Sequence, residues 1–291
     1  MKKLALSLLT LLAFTPATLP LSAAVADGTN QTSSTNYTDL VLGKKIDYDN
    51  VPSSGDPRLG AGMTATAITG PLVYRGGTVG IGVTTGAPKV YVVFLGNGWG
   101  TSTTAGGLTT FSNDPKGVAP FVQKLFQGIG TNGETWSGVN TQYCEGIAAG
   151  STSCPSTAAH VGQPGVGTLA GVWYDNSAVT YSTNDTPMLN AAATRAATYF
   201  GNTTPASNRN VQYVIVSPTG KKVDGFPAAG WCAWHWYTAT ANAGTLAYTN
   251  LPYIPDAGAG CGANFLNPGS QGLLDGLSMV AGHEYAETIT Y

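Results

Sequence analysis

The chain has 291 residues, which suits one large domain or two small ones. Only 10% of them are charged and the net charge is −2, with no basic cluster interleaved with aromatics, so nucleic acid is not an expected partner. Hydrophobic residues make up 43%, which excludes a disordered chain.

Lys2 and Lys3 precede an apolar run over 4–14, and Ala24-Val25-Ala26 supplies an A-x-A cleavage site before Asp27. That order reads as a secretory signal peptide over 1–26, and the run is shorter than the ~20 residues a spanning helix needs. No other stretch approaches that length, so no membrane span is expected. The mature protein is expected to be secreted and extracellular, with the periplasm as the alternative compartment. Residues 27–64, rich in Ser, Thr, Asn, Asp and Gly, read as a flexible polar leader. A single domain is expected over 65–291.

Short strands are expected at 72–74 and 79–83, separated by Gly76-Gly77. Lys89–Leu95 (KVYVVFL) is a β-branched and aromatic run that suits a strand buried on both faces, ended by Gly96-Asn97-Gly98. Asp114-Pro115 opens a helix through Phe121, Val122, Leu125, Phe126 and Ile129, stopped by Gly128 and Gly130. Strands are expected at 139–143 and 169–174. Thr186-Pro187 starts an Ala-rich helix with Gly201 past its end. Val211–Val216 (VQYVIV) is a further buried strand, 231–237 and 246–248 a later pair, and the final helix runs from about Gln271. Strands alternating with helices predict an α/β fold: a layered single domain with a mixed β-sheet flanked by helices, with α+β as the alternative.

Four cysteines in an exported chain should be oxidised. Of three connectivities, the local one, Cys144 with Cys154 and Cys232 with Cys261, is expected, because each loop then closes without crossing the domain.

His283-Glu284-Tyr285-Ala286-Glu287 carries the chemistry. A His and a Glu four residues apart share a helical face and can reach one metal ion, as in the HExxH helix of zinc hydrolases with the second His replaced by Glu. On a wheel Glu284 falls with Leu273, Leu277 and Val280 in the apolar sector; Glu287 lies at its edge and His283 one step beyond. Unpaired carboxylates buried there would cost several kcal/mol, a penalty that a divalent cation removes. His283 and Glu287 are thus candidate metal ligands and Glu284 the candidate general base. Zinc is the expected cofactor, although mixed N/O ligation also suits manganese or iron. The bland alternative is a rotated helix with solvated acids and a satisfied core histidine.

A third ligand must lie upstream. His235, among the aromatics of Cys232-Ala233-Trp234-His235-Trp236-Tyr237, is the leading candidate, against its reading as a packed structural histidine. His160, Glu145 and Asp256 are weaker. The six tryptophans could stack on sugars, although core packing is their commoner fate. There is no dinucleotide fingerprint and no nucleophile elbow.

Several stretches together resemble the Exordium, or phosphate-induced protein, family. Leu72-Val73-Tyr74-Arg75-Gly76-Gly77 followed by KVYVVFLGNGW at 89–99 resembles its opening. Gly225-Phe226 through Cys232 to His235 looks like its Gly-Phe-Cys and Cys-Gly-x-His region. Asp275-Gly276-Leu277 leading into the HEYAE helix is similar to its C-terminal Asp-Gly-Met helix. The resemblance spans about 70–291. It implies an extracellular protein, and its secreted bacterial branch with a His-Glu-x-x-Glu motif implies a zincin-like peptidase ancestry. Arg75 stands where many relatives have His, and the end at Tyr291 leads us to expect a chain truncated at its C-terminus. The expected function is a secreted zinc-dependent hydrolase of metallopeptidase type, acting on a peptide or cell-wall substrate and incomplete in this chain. The alternative is a non-enzymatic extracellular protein that binds cell-wall or surface carbohydrate.

Overall fold

The computed structural model describes residues 83–290; the expected signal peptide, the polar leader and, apart from Val83, the strands at 72–74 and 79–83 lie outside the described residues. Lys89–Leu95 (β1) is hydrogen-bonded on both sides, which explains its unbroken apolar run: five of its seven side chains are fully enclosed. Its neighbours are Leu169–Asp175 (β6) and Val211–Val216 (β7), both parallel to it. Beyond β7 come Gly244–Leu251 (β9), again parallel, and Trp234–Thr240 (β8), antiparallel to β9 at the edge. The sheet order is therefore β6-β1-β7-β9-β8. A single antiparallel edge strand makes the sheet mixed, and helices cover it, so the fold is a layered α/β domain.

Val118–Gly128 (α1) and Asp275–Ile289 (α4) pack together on one side, with Phe126 against Tyr285 at a ring separation of 6.2 Å. Asp114 starts α1 by accepting from the backbone N–H of Val118 and Ala119, both at 2.9 Å. Thr186–Tyr199 (α2) packs against β7, β8 and β9, its buried face made of Leu189, Ala192, Ala193, Ala196 and Ala197. Small alanines let that helix approach the sheet closely. Pro205–Asn208 (α3) is one turn held by a capping box between Thr204 and Ser207.

Two segments differ from expectation. Residues 139–143 are not a strand: Trp136–Gln142 is a 3₁₀ helix. Glu134 anchors its start, accepting from Ser137 N at 2.8 Å and Ser137 Oγ at 2.7 Å, while Val139 is 55% exposed and pairs with no strand among the described residues. The hairpin of Ser102–Ala105 (β2) and Leu108–Phe111 (β3) turns on Gly106 and Gly107, both with positive φ. The short strands Cys144–Glu145 (β4) and Ala159–His160 (β5) pair with each other and complete the strands among the described residues.

The disulfides are Cys144–Cys154 and Cys232–Cys261, the local pairing. They are compatible with an exported protein. No helix among the described residues is long and apolar enough to cross a membrane. Trp99, Trp231, Trp234 and Trp236 are core residues, so they do not line a surface groove. Trp173 lies flat against Tyr199 at 4.6 Å, and Trp136 is 44% exposed.

Candidate metal centre

The two elements that build the site meet at the sheet's edge. On β8, alternation sends Trp234 and Trp236 to one face and His235 to the other, toward α4. On α4, the 3.6-residue period brings Glu284 under the sheet and leaves His283 and Glu287 on its flank. Burial follows that order: the side chain of Glu284 is 3% exposed, His235 15%, Glu287 24% and His283 26%.

Local chemistry holds both elements in place. The Cys232–Cys261 disulfide ties the chain three residues before His235 to the loop ahead of α4. Gly276, in the first turn of α4, lies against the Cys261 carbonyl so closely that an added Cβ would sit 1.7 Å from its oxygen. Asp275 gathers the intervening loop by accepting from Leu266 N (2.8 Å), Asn267 N (2.7 Å) and Asn267 Nδ2 (2.9 Å). Those bonds, from the Asn267 side chain first, hold its carboxyl below the usual range.

His235 Nδ1 donates to Glu284 Oε2 at 2.8 Å and lies 3.3 Å from Glu287 Oε2. His283 Nε2 lies 3.1 Å from Glu287 Oε1. Three of these groups, His235, Glu284 and Glu287, place one donor atom each within 4.8 Å of one another, and so could hold a metal ion. They are the single such group among the described residues. His283 stands beside this trio through Glu287. The structure thus gathers all four residues picked out from the sequence, with one difference in arrangement: Glu284, read as a base alone, also lies within ligand range. Its place at the centre of the helix's apolar sector was the signal that it would reach furthest in.

The electrostatics are those of a largely buried cluster of two carboxylates and two imidazoles. Burial pushes the Glu284 carboxyl above the usual carboxylate range, and the His235 partner offsets this only in part. Burial opposes charge on His235 and on His283, but neighbouring carboxylates outweigh it: Glu284 and then Glu287 for His235, Glu287 and then Glu284 for His283. Both imidazoles are raised as a result. Glu287 Oε2 is buried and has no hydrogen-bond partner among the described residues, with His235 Nδ1 3.3 Å away. A buried carboxylate oxygen left this way is costly, and a cation is its natural complement. The N/O donor set fits zinc, and fits manganese or iron as well.

The weaker sequence candidates are engaged elsewhere. His160 faces the carbonyls of Thr141 (2.8 Å) and Pro155 (3.1 Å) through its two nitrogens. Glu145 pairs with Arg209 at 2.5 Å. Asp256 accepts from Thr219 Oγ1 (2.8 Å) and Gly220 N (2.6 Å). No protein-family model, no curated protein and no solved structure matches this chain.

Proposed function

We propose that this protein is a secreted zinc-dependent hydrolase of metallopeptidase type, in which His235, His283 and Glu287 hold the ion and Glu284 is the proton acceptor. The observation that carries the proposal is the convergence of His235 from β8 with Glu284 and Glu287 from α4, including a buried Glu287 Oε2 that has no hydrogen-bond partner among the described residues. Bound there, zinc would supply Lewis-acid polarisation of a carbonyl and a lowered water pKa. The chain's own residues divide the remaining work. His283 and Glu287 lie on the more exposed flank, where substrate can approach. Glu284, deep and hydrogen-bonded to His235, has the raised carboxyl that suits a base working near neutral pH.

A peptide is the substrate class the architecture favours. β8 is the edge strand among the described residues, so its outer backbone N–H and C=O groups can pair with an extended chain laid alongside His235. Metal analysis of the secreted protein tests the proposal. About one zinc per chain is expected, lost in His235→Ala, together with zinc-dependent cleavage of internally quenched peptides. Wild-type protein that carries and binds no zinc would overturn it.

A further inference from the structure

Gln212 bridges the elements that carry the cluster, although it lies on neither. It belongs to β7, is 3% exposed, and its Nε2 donates to Thr249 Oγ1 at 2.5 Å and Thr288 Oγ1 at 3.0 Å. Thr249 is the β9 residue directly opposite His235 in the β8–β9 register. Thr288 lies one helical turn after Glu284 and next to Glu287, and its hydroxyl donates to the Glu284 carbonyl at 2.7 Å. One buried amide therefore joins the strand position facing His235 to the helical turn bearing Glu284 and Glu287.

The orientation of that amide is determined. Thr288 Oγ1 spends its single hydrogen on the Glu284 carbonyl, so the atom facing it must be a donor, which makes it Nε2. The same Nε2 is also 3.4 Å from the Glu284 carbonyl. Oε1 then points away, without a hydrogen-bond partner among the described residues. Gln212 also lines a cavity of about 10 Å³ shared with Arg209, Asn210 and Tyr285, about the room one water needs. An apolar side chain would fill this place without burying an unpaired oxygen, so packing alone does not account for a glutamine here.

We infer that Gln212 is a positioning residue for the metal centre: through Thr249 and Thr288 it holds α4 at the height where Glu284 and Glu287 meet His235. The inference rests on the proposed function for its metal readout, but its geometric part stands without metal. Loss of groups that orient ligands typically weakens metal binding about 10–100-fold, and that loss is expected for Gln212→Met.

The test uses the full secreted chain and Zn²⁺ alone, titrated against a competing chelator. In parallel, the hydrogen-bonded Nδ1–H proton of His235 is followed by NMR in metal-free protein. The expected result for Gln212→Met is weaker zinc binding and a shifted or lost Nδ1–H signal, with native circular dichroism. Thr288→Ser, which keeps the hydroxyl, should retain wild-type affinity, while Thr288→Val should not. Wild-type affinity in Gln212→Met overturns the inference, and so does weakened affinity with an unchanged Nδ1–H signal. If wild-type protein binds no zinc, the hydrolase proposal fails and the Nδ1–H signal alone decides the role of Gln212. Should Gln212→Met not fold, Thr249→Val and Thr288→Val each remove one arm of the bridge and carry the same readouts.

Discussion

Glu284→Gln separates the two roles that the geometry allows Glu284. The substitution is nearly isosteric, and the amide Oε1 can still accept from His235 Nδ1, so the 2.8 Å contact survives. It removes a buried ionisable group whose carboxyl burial already pushes upward, so the fold should not suffer. What it removes is the ability to take a proton. A general base is worth about 10²–10⁴ in rate, or about 3–5 kcal/mol of transition-state stabilisation, and kcat should fall by that factor. Zinc affinity should stay within about tenfold of wild type, because the glutamine keeps the hydrogen bond that orients His235. The assay is turnover of internally quenched peptides with zinc content measured on the same preparations. Folded Glu284→Gln protein without zinc would make Glu284 a ligand and refute the assignment of roles. Full turnover would refute the base directly.

Other consequences can be checked with purified protein. Saturating zinc at 100 times its Kd should stabilise the fold by about 2.7 kcal/mol, a rise in Tm of about 5–11 °C, and His235→Ala should abolish the rise. Metal-free protein should lose stability as pH rises. Folded His235, His283 and Glu284 all hold protons above their ordinary values, so the folded state binds more protons than the unfolded one. The stability they contribute is complete below the ordinary Glu value of about 4.3 and is lost as pH climbs past the ordinary His value of about 6.5. Urea unfolding in chelator at pH 5 and pH 8.5 measures this, and a higher stability at pH 8.5 would contradict it. Gly276→Ala would set a Cβ 1.7 Å from the Cys261 carbonyl oxygen, a clash with backbone that should cost at least the ~1–3 kcal/mol typical of overpacking, read by urea unfolding. Replacing Cys232 and Cys261 by serine opens a loop of sequence separation 29, which should cost about 3–4 kcal/mol by the same measurement.

Much of the fold was legible because its signals are local. KVYVVFL and VQYVIV read as doubly buried strands, and they are β1 and β7 at the middle of the sheet. Thr186-Pro187 and Gly201 marked the ends of α2 within a residue or two. The disulfide pairing followed from proximity in the chain. The 139–143 segment misled because Val139 and Tyr143 carry β-propensity, while its state was decided by Glu134 and Ser137 bonding its first turn. The β2–β3 hairpin is a four-residue pair without an apolar alternation, so the Gly106-Gly107 turn was its only marker.

At the candidate site the division is sharper. The sequence alone determined which residue types share a helical face, because His283, Glu284 and Glu287 are joined by a 3.6-residue period that any helix imposes. It also singled out His235 by its setting between a cysteine and aromatics. Only the tertiary structure decided that His235 faces those acids across 49 residues of chain. That depends on β8 pairing with β9 in a register that sets His235 opposite Thr249, and on α4 lying beneath at the height where Gln212 meets Thr288. Pairing register and helix height are set by contacts between distant segments, and no local period encodes them.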